Sequence, residues 1–278
     1  MKRKPLLLSA VTAAALAGAA AAATLCHVRW YPLAKFGPIT VFETTTKEGE
    51  RVRVLSQGGV YQSATYVSPA RRFDLVFEYY RAFDHVFDDE SPANPRRRML
   101  MLGGGGYAYP KHVISRHPDV SVDVLEADPL VTRIARRHFF LDDLLKERCG
   151  ESGPRLNLVS ARAQDYLLGA CGMDYDVVIN DCFAGAAPSG GQEAVEVCEH
   201  ARRALRPGGV YVLNVVDEEG AYGPTVERGV RTLAAVFPYV YVIPCPDSDF
   251  GGSDNVMLLA CDRPCSLGGV EWAQMGAE

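Results

Sequence analysis

The stretch Met99-Leu100-Met101-Leu102-Gly103-Gly104-Gly105-Gly106-Tyr107-Ala108-Tyr109-Pro110 decides the fold. Its apolar run is too short for a helix and suits a buried strand. The glycines after it let the backbone turn sharply, take positive φ and approach another group closely. A helix is expected from about Pro110, because proline is favoured at the first helical position, where its missing N–H costs nothing. Strand, glycine turn and helix together open a βαβ unit.

Toward the C-terminus the alternation repeats. Val120 to Leu125 reads as a second strand ended by Glu126, and Asp128-Pro129 as the cap and first residue of a helix. Residues 156–159 and 175–180 read as strands three and four, the latter ended by Asp181. A helix over 192–205 and the turn Pro207-Gly208-Gly209 lead to a fifth strand over 210–215. A helix over 222–237 precedes two strands, 239–243 and 255–260, joined without a helix. Such alternation implies a parallel, doubly wound sheet, here with an antiparallel end.

Toward the N-terminus, Arg96-Arg97-Arg98 reads as a solvated edge before the strand, and Phe73, Val76, Phe77, Tyr80, Phe83 and Val86 predict an amphipathic helix over 72–87. Residues 39–44, 51–55 and 60–66 alternate as strands around the Gly58-Gly59 turn. The expected organisation is a small antiparallel β region over 38–68 and a nucleoside-binding catalytic domain over 70–265. Residues 1–26 differ: Lys2, Arg3 and Lys4 precede an uncharged, alanine-rich stretch from Pro5 to Leu25. That length suits a membrane anchor, and the pattern also suits a cleaved signal peptide. The chain is therefore expected at a membrane through its N-terminal segment. The positive-inside rule would put the domain outside, whereas use of an intracellular nucleoside would put it inside, so the side stays open.

Of 278 residues, 48% are hydrophobic and 23% charged, and the net charge of -5 speaks against a nucleic-acid partner. The eight cysteines contain no C-x-x-C pair, and no His stands near Cys261 and Cys265 to complete a zinc site, so no metal is expected. Free structural thiols are the default, with a Cys245–Cys261 or Cys245–Cys265 disulfide to be considered outside the cytoplasm.

Ligands of open α/β sheets bind beyond the carboxyl ends of the strands. Three such ends carry informative residues. At the first, Gly103, Gly104 and Gly105 stand before helical N–H groups, and Gly103, Gly105 and Ala108 satisfy the dinucleotide pattern G-x-G-x-x-A, which also fits a plain turn. At the second, Glu126 can accept hydrogen bonds from ribose hydroxyls, a spacing shared by NAD and S-adenosylmethionine proteins. At the third, Asp181 can orient or deprotonate an amine nucleophile.

These ends, with the strand Tyr175-Asp176-Val177-Val178-Ile179-Asn180-Asp181, the segment Leu125-Glu126-Ala127-Asp128-Pro129 and the turn Leu205-Arg206-Pro207-Gly208-Gly209-Val210, make the chain resemble spermidine synthase from about Ile39 to Ala260. Gly104-Gly105-Gly106-Tyr107-Ala108-Tyr109-Pro110 and Phe140-Leu141-Asp142-Asp143-Leu144 resemble its spermidine synthase-like branch, some members of which carry membrane segments. The resemblance implies an α/β, Rossmann-like fold of the class I S-adenosylmethionine-dependent methyltransferase type, with a small N-terminal β-hairpin region. It implies decarboxylated S-adenosylmethionine as co-substrate, a small amine as acceptor, no metal, and dimers. By the same token Asp181 would take the amine's proton with help from Tyr79, Glu126 would hold the ribose, and Gln62 would touch the nucleoside.

The chain departs from the family pattern at four positions. Gly106 replaces the Asp that meets the aminopropyl ammonium, and Arg162 the acid that meets the adenine; Ala184 replaces a second acid for the polyamine, and Tyr80 a His. Aminopropyl transfer therefore competes with three other readings: methyl transfer from S-adenosylmethionine itself, a non-catalytic membrane-tethered nucleoside-binding homologue, and a nicotinamide dehydrogenase.

Overall fold

The computed structural model describes residues 28–149, 156–184, 187–188, 194–245, 254–268 and 273–275. The expected anchor, residues 1–26, and Gln192 lie outside the described residues. Among those that are described, no helix is long and apolar enough to cross a membrane.

Two sheets carry the fold. The first is antiparallel, in the order β1 (Arg29–Tyr31), β2 (Ile39–Thr45), β3 (Arg51–Gln57) and β4 (Val60–Tyr66). The second comprises β5 (Arg98–Leu102), β6 (Ser121–Leu125), β7 (Leu156–Val159), β8 (Tyr175–Asn180), β11 (Leu205–Asp217), β12 (Tyr239–Cys245), β13 (Asp254–Cys261) and β14 (Ala273–Met275). Between β8 and β11, the short β9 (Phe183–Ala184) and β10 (Ala187–Pro188) pair with each other. The order across the large sheet is β14-β12-β13-β11-β8-β5-β6-β7. Strands β7, β6, β5, β8 and β11 are parallel, and β13 inserts antiparallel between β11 and β12. This is the Rossmann-like class I methyltransferase arrangement, with the antiparallel hairpin sheet before it.

The glycine stretch shows why both faces of β5 are apolar. Met99 and Met101 pack on one side with the hairpin sheet, while Leu100 and Leu102 pack on the other. A strand buried on both faces is uniformly apolar rather than alternating. The helices are α1 (Tyr79–Ala82), α2 (Ala108–Arg116), α3 (Pro129–His138), α4 (Leu141–Arg148), α5 (Ala163–Gly169), α6 (Val195–Ala204) and α7 (Pro224–Ala234). Asp128 caps α3 as expected, its side chain accepting from Leu130 N at 2.8 Å.

Several expectations need correction. The helix over 72–87 is only α1 followed by a 3₁₀ turn, Phe83–Phe87. The Arg72 carbonyl, which a longer helix would use internally, accepts instead from Thr65 Oγ1 (3.1 Å) and Lys111 Nζ (3.4 Å). Helix α2 begins at Ala108, with Pro110 in its first turn, where an N–H has no intrahelical partner in any case. The helix over 222–237 divides into a 3₁₀ turn, Gly220–Tyr222, and α7. Strand five is longer than expected at both ends: it starts at Leu205, the expected turn Pro207-Gly208-Gly209 being an irregularity in its pairing with β8, and β13 pairs along it to Asp217.

Arg96 is no solvated edge: it is 0% exposed. Its guanidinium donates to the carbonyls of Val86 (3.0 Å) and Gly208 (3.0 Å). The thiols that meet are Cys261 and Cys265, not Cys245 with either; Cys245 Sγ donates to Ile243 O.

Candidate active site

The carboxyl ends of β5, β6, β8 and β11 converge. Gly103 leaves β5 at φ 95°, a conformation that disfavours any side chain. An added Cβ would also stand 2.4 Å from the carbonyl oxygen of Asp181. The glycine therefore lets two strand ends touch. Asp181 N in turn donates to Leu102 O at 2.9 Å.

Glu126, just after β6, turns into the glycine loop. Its Oε2 accepts from Gly104 N (3.1 Å) and Gly105 N (3.3 Å), and its Oε1 from Asp128 N (2.8 Å). The side chain is buried, and burial raises its pKa even against these three bonds. A carboxylate offers about four acceptor positions, so roughly one is left for a ligand hydroxyl unless the loop shifts.

Asp181 follows β8. Its Oδ1 accepts from Asn214 Nδ2 at 2.8 Å, and the Tyr79 hydroxyl also bonds to its carboxylate. Burial outweighs both bonds and pushes its pKa up to about 6. Such a carboxylate is ionised at neutral pH yet basic enough to accept a proton. Tyr79 packs on Tyr80 with ring centroids 4.1 Å apart and the rings tilted by 33°, and Tyr80 Oη donates to Gln62 O at 3.3 Å. Gln62 O also lies 3.7 Å from where a Cβ on Gly105 would be. The hairpin sheet thus backs both the glycine loop and the tyrosine pair.

Gln62, Tyr79, Gly103, Gly104, Gly105, Glu126 and Asp181 are therefore gathered into one place. Arg162 is not. It precedes α5 as an exposed residue, and its side chain has no hydrogen-bond partner among the described residues. At Gly106 an added Cβ would meet Ser63 Oγ at 2.6 Å and Phe139 at 3.1 Å, so the space a larger residue would need is filled. Reading the strand ends missed Asn214. It is buried, it holds Asp181, and its Oδ1 has no partner among the described residues. The signal was a single amide inside the apolar run Val210 to Val216. No cluster of three metal-ligating side chains occurs among the described residues.

Comparison with known proteins agrees with this architecture. The spermine/spermidine synthase domain matches residues 73–248. A polyamine aminopropyltransferase of Vibrio vulnificus is 26% identical over 217 residues, covering 78% of this chain and 63% of that protein. The chain thus spans less than two thirds of that relative's length. A spermidine synthase solved with the transition-state analogue AdoDATO superposes with a TM-score of 0.65 at 22% identity, covering 85% of this chain and 74% of the other. Human methyltransferase-like protein 13, solved with SAH, has a TM-score of 0.53 at 21% identity, covering 70% of this chain and 86% of the other. At such identities the structural likeness concerns the fold.

Proposed function

The chain belongs to the spermine/spermidine synthase domain family, and from that premise we propose that it is a transferase that moves an aminopropyl group from decarboxylated S-adenosylmethionine to a small amine. The observation that carries this reading is the Asp181 carboxylate, held by Asn214 and Tyr79 beside the glycine loop, with its pKa raised to about 6. Asp181 accepts a proton from the attacking ammonium or amine. The freed nitrogen lone pair forms the new bond to the aminopropyl carbon, and the carbon–sulfur bond breaks with its electrons passing to sulfur. Tyr79 and Asn214 hold the carboxylate in place, and Glu126 with Gly104 and Gly105 forms the ribose-facing wall.

One observation favours a second reading, methyl transfer from intact S-adenosylmethionine. The Gly106 position is packed against Ser63 and Phe139. No carboxylate stands there to attract an aminopropyl ammonium or to repel a methionine carboxylate. Calorimetric binding of S-adenosylmethionine, its decarboxylated form and methylthioadenosine separates the two. Preference for the decarboxylated form, with turnover of an amine, is expected. Preference for the intact form would move the protein to the methyltransferases, and binding of none would leave a non-catalytic homologue.

Residues 1–26 would tether this domain to a membrane, as in the membrane-associated branch that the sequence resembles. Recovery of the full chain in the salt-washed membrane fraction is expected, and its release by salt alone would count against a tether. Association of two copies, which the family likeness suggests, is checked by light scattering.

A further inference from the structure

Seven of the eight cysteines are among the described residues, and all seven are thiols. Two of them meet. Cys261 ends β13, and the turn Asp262-Arg263-Pro264 brings Cys265 back over it. Their Sγ atoms lie 3.0 Å apart in hydrogen-bond contact. The turn is pinned on both sides: Cys265 N donates to Tyr241 Oη at 3.0 Å, and Arg263 Nη2 to Asp89 Oδ2 at 2.9 Å. Access differs, since Cys261 is buried whereas Cys265 is half-buried.

A second observation comes from Arg96, wholly buried beneath this turn. Its Nη2 makes no hydrogen bond among the described residues, and the Asp89 carboxylate, already engaged by Arg263, approaches it only to 4.0 Å. A buried cation with a spare donor is costly unless an anion faces it. Cys265 is the group whose negative charge most favours the Arg96 cation, ahead of Asp89 and Asp176. The contact with Cys261, and the Arg96 and Arg263 cations, bring the Cys265 thiol below its usual range; Cys261, engaged in the same contact and buried, is pushed up.

We propose that Cys261 and Cys265 form a redox-active dithiol, a reversible modification site for low-molecular-weight disulfides of the glutathione class. The Cys265 thiolate attacks one sulfur of the incoming disulfide, whose S–S bond breaks and releases one thiolate. Cys261 then loses its proton to water and attacks Cys265 Sγ, expelling the second thiolate. The protein is oxidised by two electrons and the small disulfide is reduced to two thiols. The site is separate from the carboxylate centre. Cys261 pairs with Val210 and Tyr239, whereas Asn214 lies further along β11 at the opposite end of the sheet.

The test is to incubate the reduced full chain with oxidised glutathione, quench with acid and map peptides by mass. The peptide containing both residues should become lighter by two hydrogens and carry no glutathione. Cys265→Ser should abolish that change, and Cys261→Ser should retain glutathione on Cys265. At neutral pH, Cys265 should alkylate about fivefold or more faster than exposed Cys171. Arg263→Gln, a surface change, should narrow that ratio. An unchanged wild-type mass with no adduct in Cys261→Ser would overturn the proposal, as would a disulfide of Cys265 with Cys245. The wild-type map needs no variant, so a substitution that fails to fold leaves the test intact.

Discussion

At the scale of single residues, Asp181 is the group on which the proposed chemistry turns. Its pKa of about 6 means that the free protein loses the basic form as pH falls through that value. The expected kcat/KM therefore rises with pH through about 6 and levels above it. Asp181→Asn should lower turnover by roughly 10²–10⁴-fold while leaving circular dichroism unchanged; undiminished turnover would remove Asp181 as the base. Asn214→Leu takes away a donor that stabilises the carboxylate, so the acid limb of the profile should move to higher pH. A limb that stays in place would mean that Asn214 does not tune the acid. Glu126 and Asp181 were legible from sequence because an acid ending an apolar run is a local signal. Asn214 was not singled out, because nothing local says that its amide faces a carboxylate 33 positions away.

Among elements, the joints between strands and helices are the sensitive points. Asp176, buried at the start of β8, accepts from Arg97 N (2.6 Å) and Arg98 N (2.7 Å) and pairs with Arg206. It ties the base of β5 to β8 and to the start of β11. Asp176→Ala should cost about 3 kcal/mol in denaturant unfolding, because two backbone donors and a guanidinium lose their acceptor together. A loss below about 1 kcal/mol would mean that water replaces the carboxylate there. Asp217 plays a similar part at the start of α7, accepting from Thr225 N at 2.7 Å. The absence of a side chain at Gly223 makes room for it, since a Cβ there would overlap the carboxylate. Gly223→Ala should thus cost about 1–2 kcal/mol through loss of that cap. The Arg72–Phe87 segment shows where periodicity misleads. Val76, Phe77, Tyr80, Phe83 and Val86 are buried as their spacing implies, yet the Arg72 carbonyl is taken by side chains from β4 and α2, and no continuous helix forms.

For the molecule as a whole, the packing of the hairpin sheet on the nucleotide-fold sheet is the decisive feature. Lys111 sits at that joint, buried, donating to Phe139 O (2.5 Å) and toward Thr65 Oγ1 (3.4 Å). Burial lowers its pKa to about 7, whereas an unfolded lysine titrates near about 10.4. Between these values the unfolded chain holds more protons than the folded one, so stability should rise with pH across that window. Lys111→Met should flatten this rise, seen as a smaller gain in urea midpoint between about pH 7 and pH 9; parallel profiles would show that the ammonium is not desolvated as its burial implies. The sequence by itself determined the succession of β5, β6, β7, β8, β11, β12 and β13, the glycine turn and the acids at strand ends, but not α4, α5 or the short strands β1, β9, β10 and β14, because apolar period, glycine and proline act within a few residues of themselves. Only the tertiary structure decided that Arg96 is buried, that Asn214 holds Asp181, that Ser63 fills the space at Gly106 and that Cys261 meets Cys265. Each of those depends on which chain segments are brought together, and burial and hydrogen bonding are properties of that assembly rather than of any one stretch of the chain.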